Sequence, residues 1–148
     1  MIFLKRKIID WLLVILLMVG IFYFSNQEGV ASSGTSNGIT RVIFDFLNLD
    51  DVLVFDSFHG LVRKIAHFTI YFILGFLIYN ALYHSFKKDL IYLLVLAIVL
   101  VMSYAISDEV HQLFIVGRSC EVRDVLIDTS GGSIGAFIYY FYLKIRMC

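Results

Sequence analysis

Four stretches of the chain, residues 8–24, 65–82, 90–107 and 125–143, are predominantly apolar, and polar residues gather between them. Each is close to the roughly 20 residues that a helix needs to cross about 30 Å of hydrocarbon. Lipid leaves no partner for an unpaired backbone group, so only helices or a closed barrel can span it. No alternating ten-residue pattern recurs along the chain, which removes the barrel. The pattern predicts an all-α fold, a four-helix transmembrane bundle forming one membrane domain over residues 1–148, with both termini on the same side.

The segment between the first two runs, 25–64, is too long for an unstructured connection in a compact domain. Within it Ile39, Val42, Ile43, Phe46 and Leu47 fall on one helical face. With Asn37 or Ser36 as N-cap, this reads as a short amphipathic interfacial helix in the first outer loop, covering the tops of the spans. Farther on, Phe55, Phe58, His59 and Val62 keep helical spacing, so the second helix is expected to start near Asp56 or Ser57, before the membrane does.

Composition agrees with the pattern. Hydrophobic residues make up 60% of the chain, charged residues 16%, there is no proline, and the mean hydropathy is +0.87. A soluble domain holds about a quarter charged residues. Twelve basic and twelve acidic residues cancel, which removes nucleic acid as a partner and leaves charge placement as the informative quantity. Lys5, Arg6, Lys7, Lys87, Lys88, Lys144 and Arg146 share one side, with only Asp10 and Asp89 among the acids. Arg41, Arg63, Lys64, Arg118 and Arg123 lie opposite. The positive-inside rule then expects both termini in the cytoplasm. A cleaved signal peptide is a rival reading of the first run, but 17 apolar residues exceed the usual 7 to 15, and no small-x-small site follows closely. Cys120 and Cys148 are expected on opposite sides, so no disulfide joins them.

Charged residues within a span are costly and rare without a partner or a function. Three groups stand at the outer ends of the spans. In the first, Arg63 and Lys64 precede His67 by about one helical turn and Tyr71 follows it by one, a polar stripe running into the membrane. The second is Ser107 to Gln112: if the helix continues, Asp108 faces His111 and Gln112 and concentrates two carboxylates, an imidazole and an amide, with Glu109 beside it. The third has Asp124 and Asp128 four residues apart, followed by Gly131, Gly132 and Gly135. Gly131 and Gly135 form a small-xxx-small pair that admits another helix and places Asp128 beside it. There Asp128 needs a cation or a donor, and Arg63, Lys64 and Arg118 are the candidates.

Phe24-Ser25 with Gln27, Arg63-Lys64 with Ala66-His67-Phe68, Tyr71 and Leu74-Gly75, Ser107-Asp108-Glu109 with His111-Gln112, Gly117-Arg118, Asp124, Ile127-Asp128 and Gly131 together resemble the VanZ-like family. The likeness extends over nearly the whole chain. The loop Phe114-Ile115-Val116-Gly117-Arg118 departs from the family in lacking a proline before its glycine, which leaves the turn before Arg118 less rigid. The resemblance implies a multi-pass bacterial membrane protein, similar to one associated with low-level resistance to teicoplanin, a glycopeptide that binds cell-wall precursors. It implies neither a settled reaction nor a cofactor.

On this reading an outer-face site handles a cell-wall or lipid-linked anionic component. His67, Asp108, Glu109 and His111 are the catalytic candidates, through proton exchange. Arg63, Lys64, Gln112, Arg118, Asp124, Asp128 and Gln27 are the ligand-binding candidates, with Arg63, Lys64 and Arg118 suited to clamp phosphate. Expected partners are membrane lipids and a cell-wall precursor or the glycopeptide itself. Two alternatives remain open. The polar groups can be a structural network in a non-catalytic accessory protein, or His111, Asp108 and Glu109, with His67 and Asp128, can be mixed ligands for zinc or manganese, although His-Glu-x-x-His and paired cysteines are lacking and no metal is assigned. The lipid-phosphatase block needs a proline this chain does not have. P-loop and dinucleotide fingerprints are absent. Gly132-Ser133-Ile134-Gly135 lacks the nucleophile-elbow frame. A transporter of four short spans without broken-helix signals would have to be a dimer.

Overall fold

Each apolar run is a helix in the computed structural model, which describes residues 2–26, 38, 52–115 and 121–147, without the side chains of 2–4 and 52–60. The helices are α1 (Ile2–Ser25), α2 (Val52–Ser85), α3 (Leu90–Gln112) and α4 (Val122–Met147). The second starts earlier than its polar residues suggested, because no glycine or proline interrupts 52–59. The third continues through Asp108–Gln112, so those polar residues are helical. The interfacial helix expected over 39–47, together with Gln27, Arg41, Arg118, Cys120 and Cys148, lies outside the described residues.

Lys5–Ser25, Leu61–Ser85 and Leu90–Gln112 are long and apolar enough to cross a bilayer. The fourth helix, 26 residues long, reaches the same length with a less apolar sequence. It manages this by turning its polar face inward. Asp128, Gly131, Gly132, Gly135, Ala136 and Tyr139 are buried, while Leu126, Ile134, Ile138, Phe141 and Ile145 point out. All round the bundle large apolar side chains face outward, Ile8, Leu12 and Leu16 on α1 and Val95 and Val99 on α3 among them. On a soluble protein this surface would be a docking or aggregation hazard, whereas lipid solvates it.

The chain runs up and down, so α2 and α4 are parallel, and they pack against each other more extensively than any other pair. Glycine makes the approach possible. A Cβ on Gly75 would collide with the carbonyl of Gly132, one on Gly131 with the carbonyl of Phe68, and one on Gly135 with the carbonyl of Phe72. Lipid tails are as apolar as leucine, so close van der Waals contact replaces hydrophobic exclusion as the glue between these helices. The third helix covers the seam with Val101 against Gly132, and Leu93, Ala97 and Ala105 are buried beside it.

The termini and the 86–89 turn share one end, the tail end. There α1 is fastened by polar contacts, since most of its surface faces outward. The buried Asp10 carboxylate meets His84 Nδ1 at 2.8 Å, and Trp11 Nε1 donates to Ser85 Oγ at 2.9 Å. Higher up, Tyr104 Oη donates to the carbonyl of Met18 at 2.6 Å, tying α3 to α1. Asp89 caps α3, accepting from the amide of Ile91 at 2.7 Å. Replacing Asp10 by alanine removes a charge-assisted bond where α1 has few others. The expected loss is about 1.5–3 kcal/mol, read as a lowered thermal midpoint in detergent.

Candidate functional site at the end opposite the tails

Two parallel helices with polar residues at the same four-residue step meet rung by rung. On α2 the stripe is Arg63, His67 and Tyr71; on α4 it is Asp124, Asp128 and Gly132. Arg63 Nη2 stands 3.9 Å from Asp124 Oδ2, and His67 Nδ1 stands 3.5 Å from Asp128 Oδ2. At the next step α4 offers only a glycine, so the backbones close up and Gly132 lies under the carbonyl of Tyr71. The polar stripe thus ends where the glycine seam begins. Arg63, Lys64, His67, Asp124, Ile127 and Asp128 line a cleft above that point, closed too tightly to admit a water molecule.

Tyr71 turns its hydroxyl toward α3 and donates to Asp108 Oδ2 at 3.4 Å. The same oxygen accepts from Gln112 Nε2 at 3.4 Å, one turn along α3, and Gln112 Nε2 also lies 3.2 Å from Ser25 Oγ at the end of α1. All four helices therefore contribute to one polar region. Glu109, also buried, accepts the amide of Glu121 at 2.7 Å, which puts a carboxylate at the positive N-terminus of α4. The charges of Asp108 and Asp128 act on both His67 and Glu109, so these groups share one electrostatic neighbourhood.

Five buried polar atoms here have no hydrogen-bond partner among the described residues: Oδ1 of Asp108, Asp124 and Asp128, Nε2 of His111 and Oγ1 of Thr129. Buried polar atoms are nearly always paired, so a group of orphans at one end of a membrane bundle makes that end the candidate site. With Nδ1 of His67 engaged by Asp128, Nε2 is the nitrogen left to exchange a proton. Lys64, partly buried at the rim, makes no ion pair among the described residues. No three His, Cys, Asp or Glu side chains converge at metal-ligand spacing among those residues.

The structure brings Arg63, Lys64, His67, Asp124 and Asp128 around one cleft, and joins Asp108 and Gln112 to them through Tyr71 and shared charge. Glu109 is set to one side by its bond to the Glu121 amide. His111, expected to face Asp108, instead stacks on Phe22 with ring centroids 4.4 Å apart, because the i+3 position turns toward α1 while i+4 stays inward. The partner of Asp128 is His67; Arg63, one turn higher, is matched with Asp124. Gln27 and Arg118 lie outside the described residues. Three contributors are not among the site candidates, Ser25, Tyr71 and Thr129, although Tyr71 stands in the polar stripe and Ser25 among the residues that carry the resemblance. The four-residue step from His67 is a signal for Tyr71, while Ser25 and Thr129 carry none that is local.

No curated protein and no solved structure matches the chain. A family model described as VanZ/LLP1 matches residues 10–143, from the buried Asp10 across the cleft and the glycine seam to Leu143 near the end of α4. The chain is a membrane protein that belongs to the VanZ/LLP1 family.

Proposed function

We propose that this protein binds an anionic part of a cell-wall or lipid-linked component at the outer face of a bacterial membrane, and thereby contributes to glycopeptide resistance of the teicoplanin type. Both termini are cytoplasmic on this reading, and the cleft opens on the other side, as the loop charges expect. The observation that carries it is the placing of Arg63 and Lys64, adjacent cations, beside a cleft floored by the His67–Asp128 pair. Guanidinium and ammonium groups together suit phosphate, the first by its planar fork and the second as a point charge. Family membership supports the link to resistance. Binding is the core of the reading, and proton exchange at His67 Nε2 is the chemistry the site could add.

In a teicoplanin-susceptible host, the wild-type chain should raise the inhibitory concentration. The Arg63→Ala/Lys64→Ala variant should fall back to the empty-vector value while inserting in the membrane at the wild-type level. Resistance that survives the double replacement would refute the anion site. A second reading, a structural charge network in an accessory protein, is favoured by the Arg63–Asp124 rung, which already matches the two opposite charges. It predicts that Arg63→Asp with Asp124→Arg restores folding and resistance together.

A further inference from the structure

An anion alone is a poor match for the cleft between α2 and α4. Arg63 already faces Asp124 at 3.9 Å, so an anion that takes Arg63 leaves Asp124 uncompensated near Asp128 and Asp108. The Arg63 side chain is 42% exposed but the Asp124 carboxylate is sheltered, so drawing the guanidinium away leaves that charge behind. The donor on the floor of the cleft is His67, and its Nδ1 is already turned to Asp128 Oδ2. Asp128 is almost fully buried, and its Oδ1, like those of Asp124 and Asp108, accepts no hydrogen bond from the described residues. An ionised carboxylate can only accept, so a group that satisfies these oxygens must donate.

We infer that the cleft, closed as it stands and opened when the Arg63–Asp124 rung parts, takes a zwitterion, a phosphate tethered to a primary ammonium group, of the phosphoethanolamine class. Its phosphate sits against Arg63 and Lys64, and its ammonium against Asp124 and Asp128. The inference rests on the anion-site reading above and narrows it to a substrate class. A zwitterion can enter where a simple anion cannot, because it exchanges partners within the Arg63–Asp124 rung and strands neither. That rung is the longest ion pair among the described residues, hence the easiest to part. A primary ammonium brings three donors to the orphaned oxygens, whereas a quaternary one brings the same charge and none.

The chemistry is shared by a lipid headgroup and a free small molecule, so the test has two arms. Purified protein in detergent is titrated with short-chain phosphatidylethanolamine, phosphatidylcholine and phosphatidylglycerol, and separately with O-phosphoethanolamine, phosphocholine and inorganic phosphate, with binding read by thermal shift. In whichever arm binds, the ethanolamine compound should bind about tenfold more tightly than its choline counterpart, the size of one charge-assisted hydrogen bond. It should also outbind phosphatidylglycerol or inorganic phosphate. Asp124→Asn should erase the preference over choline without weakening phosphatidylglycerol. Wild-type protein decides by itself if that variant does not fold. Equal binding of ethanolamine and choline compounds overturns the primary ammonium as donor to the orphaned oxygens, and tightest binding of the plain anion overturns the zwitterion altogether and leaves an anion site standing. No binding in either arm overturns both.

Discussion

Gly75→Ala should destroy the bundle's principal seam, and Gly20→Ala should leave it intact. Both glycines lie within apolar helices, and sequence alone does not rank them. A Cβ on Gly75 would collide with the backbone carbonyl of Gly132, which no rotamer change can clear, so α2 and α4 must separate. A Cβ on Gly20 meets nothing within 4 Å. Ordinary overpacking costs about 1–3 kcal/mol, and a backbone obstacle belongs at or above the top of that range. Separation also lengthens the Arg63–Asp124 and His67–Asp128 rungs, since the same two helices carry them. The expected result is a variant that inserts poorly or melts far below wild type in detergent, and that loses any ligand binding with it. Gly135→Ala, aimed at the carbonyl of Phe72, should behave alike. If Gly75→Ala melts with the wild type, the helices do not approach as described and the cleft geometry fails too.

How far the sequence reaches depends on the range of the interaction involved. The four helices, three of them long and apolar enough to cross a bilayer, were legible because bilayer thickness and backbone hydrogen bonding act on every apolar run in the same way. The small-xxx-small step at Gly131 and Gly135 was legible because helix periodicity alone puts both on one face. The internal step from Asp108 to Gln112 was legible for the same reason. Which residues meet across helices was not. The register of α2 against α4 is set by Gly75 lodging on Gly132, and that contact decides that Asp128 takes His67 and leaves Arg63 to Asp124. Ser25 reaches Gln112, and Asp10 reaches His84, across sequence separations of 87 and 74 residues, where no local pattern announces a partner. His111 shows the converse. Its spacing permits a contact with Asp108, but the neighbouring helix supplies Phe22, and stacking settles its direction.

Replacing His67 by alanine should be severely destabilising, and adding Asp128→Asn should repair most of the damage. Asp128 is almost fully buried, and its one hydrogen bond in the described residues is to His67. Alanine at 67 leaves that carboxylate sheltered and unpaired, a change that costs about 3–5 kcal/mol. Asparagine at 128 keeps the shape and removes the charge, so the double variant should recover most of that loss. A double-mutant cycle in detergent, read as unfolding free energy, should therefore give a coupling well outside the few tenths expected of independent sites. Additive losses would mean that the two side chains do not interact. The same four proteins also separate structure from function when scored for teicoplanin susceptibility. If the double variant regains stability and resistance together, the pair is part of a structural network. If it regains stability alone, the pair serves the ligand directly, because the imidazole and the Asp128 charge are what the repaired fold still lacks.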